Sequence, residues 1–309
     1  EESGLPVIKV QHHYAHILSC MAENDCQEPV IGVSFDGTGY GMDGTIWGGE
    51  ILLADYKAFQ RFGCITPFLQ IGGDASSREG WRIAVSMLYG QMKDRAAAMT
   101  MIEKLNLCSV QDAKVQMAMA DRKINAVMST SAGRLFDGVS AILGIRKAST
   151  FEGEASMALE FTAEAVDLLQ VMVEMRKQFP LAACIDNKES ESTEINKPEQ
   201  VKAVLNTGAL VKTIAEARLA GADTEKLAYF FHWILAEEII AACQKAGKES
   251  GRGTVALSGG VFQNQLLLKM VDEGLQKEGF KVLRHRLIPP NDGGIALGQA
   301  VHAMGSLKS

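Results

Sequence analysis

The last third of the chain alternates two kinds of segment. TVALSGG (254–260) is a short apolar run, and VFQNQLLLKMVDEGLQKEG (261–279) repeats its apolar residues every three or four positions. KVLRHR (281–286) again reads as a strand, and GGIALGQAVHAMG (293–305) as a helix. Strands that alternate with amphipathic helices bury both apolar patterns only in a layered α/β architecture. The earlier part of the chain fits the same class. VIGVSF (30–35) is a compact apolar run that ends on Asp36, the pattern of a buried strand, and GTIWGGEILLADY (44–56) continues as one or two strands. PVIKV (6–10) reads as a short strand leading into YAHILSCMAE (14–23), a helix. From about residue 76 to 145 the spacing is helical, as in REGWRIAVSMLYGQM (78–92) and RLFDGVSAILGI (134–145). Further helices are expected over EASMALEFTAEAVDLLQVM (154–172) and DTEKLAYFFHWILAEEIIAACQKAG (223–247). Between them, CIDNKESESTEINKPEQ (184–200) is the clearest break in composition.

The bulk properties narrow the function. With 309 residues and 47% hydrophobic content the chain can bury a large core, expected as two lobes, 1–145 and 146–309. A net charge of −6 is not the basic signature of a dedicated nucleic-acid binder. No apolar run is long enough to span a membrane, and the first residues are not a signal peptide. The six cysteines (Cys20, Cys26, Cys64, Cys108, Cys184, Cys243) form no CxxC pair, which suits a reducing cytoplasm better than a disulfide framework or zinc ribbon.

Several short patterns could carry chemistry. In QHHYAH (11–16), His12 and His16 are four apart, so on a helix both imidazoles share one face, a common way to present two nitrogens to one metal ion. A chance cluster of histidines remains the plain alternative. His13 points elsewhere, and His232, His285 and His302 are isolated and expected to be satisfied structurally. Asp36 ends a strand, and DGTGYG (36–41) supplies glycines that could bring backbone N–H groups to an anion or simply make a hairpin turn. In LSGGVFQN (257–264) a strand passes through Gly259 and Gly260 into a helix whose N-terminus suits an anion, unless the glycines serve packing alone. Asp292, in PPNDGG, precedes a helix and could cap it. Asp137 sits among apolar residues and needs a partner, either a ligand hydroxyl or Arg134 one turn earlier. In GGDASSREGWR (72–82), Asp74, Arg78, Glu79 and Arg82 could simply form a solvated helix start. Taken together, these elements would place a metal beside a nucleotide in a cleft between lobes.

These motifs also carry a resemblance. VQHHYAH, FDGTGYGMDGTIWGGE, GGDASSREGWR, SAGRLFDGVSAILGI, FEGEASMALE, LSGGVFQN and PPNDGGIALGQA, in that order, resemble the C-terminal transferase domain of the hydrogenase maturation carbamoyltransferases, from residue 5 to about 304. That domain is similar to the tRNA threonylcarbamoyl transferases and the antibiotic O-carbamoyltransferases. The resemblance implies a two-lobed actin/Hsp70-like (ribonuclease H-like) α/β fold. It implies a divalent metal, iron or zinc, on His12, His16, Asp36 and Asp292. It also implies an ATP- or AMP-type nucleotide, with Asp36, Gly37, Thr38 and Gly39 around the phosphates beside Gly259 and Gly260, and Asp137, Gly153 and Asn264 toward the adenosine. The implied reaction moves a carbamoyl group from carbamoyl-adenylate, made by a YrdC-like domain, to the C-terminal cysteine of the partner HypE. The thiocarboxamide is the source of the cyanide ligands of the [NiFe] centre. The chain carries no acylphosphatase, zinc-finger or YrdC-like segment and opens at the histidine motif, so the resemblance implies a first lobe that lacks its opening strands. Alternatives within this reading are transfer to a tRNA or a small-molecule hydroxyl, or a module that binds nucleotide and metal without catalysis.

Overall fold

The computed structural model describes residues 7–92, 94–165 and 201–306. It opens with α1 (His12–Glu23), followed by β1 (Val30–Tyr40), β2 (Ile46–Ala54), β3 (Phe59–Ile65) and β4 (Phe68–Ile71). A 3-10 turn (Gly73–Ser77) leads to α2 (Gly80–Gln91), α3 (Arg95–Lys104), α4 (Val110–Arg122), β5 (Ala126–Ser129), α5 (Ala132–Ile142) and α6 (Glu154–Glu164). After the break come β6 (Ala203–Leu205), α7 (Thr207–Leu219) and the long α8 (Thr224–Ser250). The chain then runs through β7 (Thr254–Ser258), a 3-10 turn (Gly260–Gln263), α9 (Gln265–Lys277), β8 (Lys281–Leu283), a 3-10 turn (Asp292–Gly294) and α10 (Ile295–Ser306).

The strands form one eight-stranded sheet, ordered β4-β5-β2-β1-β7-β8, with β3 on β2 and β6 on β3. β1 pairs antiparallel with β2 and parallel with β7, so strands from either side of position 145 meet at the centre of the sheet. Alternation along β1 assigns its two faces. Ile31, Val33 and Phe35 enter the larger core under α2, α5 and α8. Val30 faces the other way, and Gly32 lies directly beneath Ile17 of α1. Ser34 and Asp36 follow with the same parity. β7 repeats the pattern, with Val255 and Leu257 in the larger core and Ala256 on the α1 side.

α1 is held down by Tyr14, Ile17, Leu18 and Met21, all buried, each side chain contributing about 2 kcal/mol by its removal from water. Its outer flank is covered by α10, and Gly298 makes that contact possible. A methyl group there would overlap the Ala15 carbonyl oxygen. No helix among the described residues is long and apolar enough to cross a membrane.

Several expectations need correction. Residues 7–11 form no strand; Gln11 instead caps α1, its side-chain oxygen accepting from the Tyr14 amide. β1 does not end at Asp36 but continues to Tyr40, with its pairing to β2 slipped between Phe35 and Gly39. The turn falls later, where Gly41 N–H donates to the Thr45 carbonyl and Asp43 accepts from Thr45 and the Trp47 indole. The stretch read as wholly helical from 76 to 145 contains β5, whose alternation is too short to register, and α7 lies in a stretch given no element. The helix expected over 154–172 is described to Glu164; its remainder and 184–200, with Cys184, lie outside the described residues.

Candidate active site

α1 and the even-numbered face of β1 bring the first three groups together. His12 Nε2 lies 2.9 Å from Asp36 Oδ2, and His16 Nε2 lies 3.4 Å from the same oxygen. Asp292 enters from the 3-10 turn before α10, its Oδ1 3.6 Å from His12 Nε2 and 3.5 Å from His16 Nε2. One ligand atom from each of the four residues falls within 4.8 Å of all the others. The cluster meets solvent chiefly at Asp292, whose side chain is 73% exposed.

Within the four residues, one buried ligand-type atom makes no hydrogen bond. His16 is 1% exposed, and its Nε2 has no hydrogen-bond partner despite its two carboxylate neighbours. A buried, unpaired ring nitrogen is costly unless something binds it. Two imidazole nitrogens and two carboxylate oxygens are a donor set for zinc or ferrous iron, so the residues fit a divalent cation. Charge points the same way. Burial disfavours the Asp36 carboxylate, yet the histidines beside it hold its pKa far below the usual carboxylate range. Burial likewise opposes protonation of His12, but Asp36 and Asp292 raise its pKa overall. A divalent cation supplies the positive charge that these acids otherwise draw from a proton.

Asp36 is fixed from its other side by a glycine. Gly260 N–H donates to Asp36 Oδ1 at 3.1 Å, and Gly259 N–H donates to the Pro290 carbonyl at 2.9 Å. Gly259 has φ 101°, in the region that favours glycine, and a side chain there would meet the Phe35 carbonyl. These amides therefore hold the two carboxylate-bearing segments and are not open to an anion. The anion site expected at the next helix is also taken. The 3-10 turn intervenes, Asn264 caps α9 by accepting from the Leu267 amide, and Glu160 Oε1 accepts from the Gln265 and Leu266 amides at 2.6 and 3.3 Å. The Asn264 amide also donates to His232, whose other ring nitrogen bonds the Ala228 carbonyl.

The remaining candidates are dispersed. Gly37 offers its carbonyl to the Ser131 hydroxyl at the N-terminus of α5, and Gly133 in the first turn of α5 packs on Gly37. Thr38 is exposed, while Gly39 packs against the rings of His12 and His13. Asp137 lies 2.8 Å from Arg134 Nε, and burial pushes its carboxyl up to about 6 despite that arginine. Gly153 starts α6 with φ 79°. His13 is buried against Gly39 and bonded to Gln11, its ring packed edge-on beside His12 but not among the four ligand-type groups. Sequence reasoning passed over Glu23. Its signal was there, eleven residues after His12 and seven after His16 on the same helical stripe.

The chain matches the model of the carbamoyltransferase Kae1-like domain, second subdomain, over residues 32–299, and that of the HypF Kae1-like domain over residues 1–23. It belongs to the HypF family. A probable carbamoyltransferase HypF of Methanocaldococcus jannaschii is 32% identical over 302 residues, 97% of this chain and 36% of that protein. A carbamoyltransferase HypF of Synechocystis sp. is 36% identical over 97% of this chain and 37% of its own length. A HypF homolog of Cupriavidus necator is 34% identical over 96% of this chain and 70% of its length. Among solved structures, full-length HypF in a phosphate- and nucleotide-bound form superposes with TM-score 0.83 at 34% identity, covering 99% of this chain and 44% of that one. This chain thus spans little more than a third of the first two relatives, and its α/β fold is that of the HypF Kae1-like domain.

Proposed function

We propose that this chain carries the carbamoyl-transfer site of a HypF enzyme and passes a carbamoyl group from carbamoyl-adenylate to the C-terminal cysteine thiol of a HypE-type partner. The product thiocarboxamide feeds the cyanide ligands of a [NiFe] centre in the cytoplasm. The observation that carries the reading is the convergence of His12, His16, Asp36 and Asp292 around the unpaired His16 nitrogen, open on the Asp292 side. The family membership and the phosphate- and nucleotide-bound HypF relative support the choice of substrate.

In the reaction, the acceptor thiolate forms a C–S bond to the carbamoyl carbon, the C–O bond to phosphate breaks, and AMP leaves with that electron pair. The thiol proton passes to solvent. His12, His16, Asp36 and Asp292 would hold a zinc or iron ion, which as a Lewis acid would neutralise charge on the carbamoyl oxygen or the phosphate. Asp36 is oriented by the Gly260 amide, and His12 by Asp36. The first turn of α5 abuts Gly37, so its positive end favours a phosphate placed along the DGTG segment. Burial disfavours the thiolate of Cys20, Cys64 and Cys243, and the nucleophile in this reading comes from the partner.

The test is transfer from carbamoyl-adenylate to a peptide ending in cysteine, with wild type, His12→Ala and Asp292→Ala. Both variants should lose at least about 100-fold in rate, the order expected when a group stabilising developing charge is removed. Full activity in both would sink the metal-centred mechanism. Transfer to tRNA or an aminoglycoside with the peptide left unmodified would replace the acceptor.

A further inference from the structure

His12, His16, Ser19 and Glu23 fall at i, i+4, i+7 and i+11 of α1, a single stripe of the helix. The first two belong to the four-residue cluster. Glu23 ends the helix, roughly 10 Å further along its axis from His16 at 1.5 Å per residue. Its contacts are unusually complete. Oε1 accepts from the amides of Arg286, Leu287 and Ile288 at 2.8, 2.6 and 3.3 Å. Oε2 lies 2.8 Å from His285 Nδ1, and His285 Nε2 lies 2.8 Å from Ser258 Oγ at the end of β7. Ser258 is fully buried, and the His285 and Glu23 side chains are nearly so.

This chain of contacts fixes the segment that delivers Asp292. Residues 285–288 are pinned to α1 by Glu23 and to β7 by Ser258, and Pro290 is then held by the Gly259 amide. Asp292 follows, exposed and outside any regular strand or α-helix. Without the Glu23 contacts, Asp292 would be placed only by the Gly259–Pro290 bond before it and by α10 after it. α1 thus grips one segment at two points, through the histidines at its start and through Glu23 at its end.

We infer that Glu23 and His285 are positioning residues for Asp292, setting the affinity and geometry of the metal site through the 285–292 segment. This inference rests on the metal reading proposed above. Groups that orient a metal ligand typically change affinity by about 10- to 100-fold when removed.

The experiment measures Zn²⁺ affinity by chelator competition and the visible absorption of Co²⁺ in the same site. It uses wild type, Glu23→Ala, His285→Asn, Asp292→Ala and Glu23→Ala/Asp292→Ala. Each positioning variant should bind Zn²⁺ about 10- to 100-fold more weakly and give a Co²⁺ spectrum like that of Asp292→Ala. In the Asp292→Ala background, Glu23→Ala should add nothing, because the group it positions is already gone. Wild-type affinity and spectrum in both positioning variants would overturn the inference. So would equal weakening with and without Asp292, which means that α1 has loosened as a whole. If Glu23→Ala does not fold, His285→Asn decides the matter, since it leaves the Glu23 contacts to the three amides in place. A wild type that binds no Zn²⁺ would sink the metal reading itself, a result distinct from both.

Discussion

Two polar regions of this molecule look alike in sequence and differ in the fold. One is the cluster of His12, His16, Asp36 and Asp292. The other is the set around the N-terminus of α9, with Asn264, His232 and Glu160. Both contain buried polar side chains, and both join glycine turns to acids or amides. In the second region the described groups satisfy each other. Asn264 both caps α9 and donates to His232, His232 bonds a backbone carbonyl, and Glu160 fills the helix terminus. In the first, a buried imidazole nitrogen is left unpaired among acids that face solvent on one side. Closed networks hold a fold together, whereas a convergent set with an open side has room for a ligand.

The contrast predicts effects of different kinds. The largest belongs to the open cluster. Replacing His12 and His16 together by alanine should abolish Zn²⁺ binding, a loss beyond the roughly 100-fold of an orienting group, and should also lower the melting temperature of the metal-free chain, because Asp36 is left buried without its histidine partners. Measurable tight binding in that double variant would place the ion elsewhere.

The next effect belongs to the closed network and is read by pH. Burial depresses His232 from 6.5 to about 4, so between those values the unfolded chain takes up a proton that the folded chain excludes. Stability attributable to His232 is therefore intact at pH 7 and lost as the pH falls, by about 2 kcal/mol at pH 5. Denaturant unfolding at pH 7 and pH 5 should show that His232→Gln reduces the acid loss by this amount. An identical acid loss in both proteins would mean that His232 protonates freely in the fold. The smallest effect on Zn²⁺ binding belongs to Asn264→Ala, which removes a helix cap worth about 1 kcal/mol together with the hydrogen bond to His232. The closed-network view expects this cost in stability with Zn²⁺ affinity unchanged, and a loss of Zn²⁺ affinity would tie the two regions together.

The α/β class was legible in the alternation of the C-terminal third and in VIGVSF. So was the pairing of His12 with His16, because helical spacing alone puts them on one face. Asp36 was found for a partly mistaken reason. It does not end its strand; parity along β1 turns it toward α1, and the strand runs on. The bonds of the Gly259 and Gly260 amides to Pro290 and Asp36 were not legible, since they are set by chain segments far away in sequence. The approach of Asp292 depends on the same kind of long-range contact, and only the family resemblance brought it to the histidines beforehand. Glu23 shares the helical stripe of His12 and His16, but a glutamate at a helix end is common on solvated surfaces, and the three amides of residues 286–288 that converge on it come from far away in sequence.

The most direct measurement of the central claim is anomalous X-ray scattering at the zinc edge from crystals of this chain grown with one equivalent of Zn²⁺. The account predicts a single strong peak at about 2.0–2.2 Å from His12 Nε2, His16 Nε2 and a carboxylate oxygen of each of Asp36 and Asp292. A peak at any other set of residues, with the His16 nitrogen still unpaired, would contradict it.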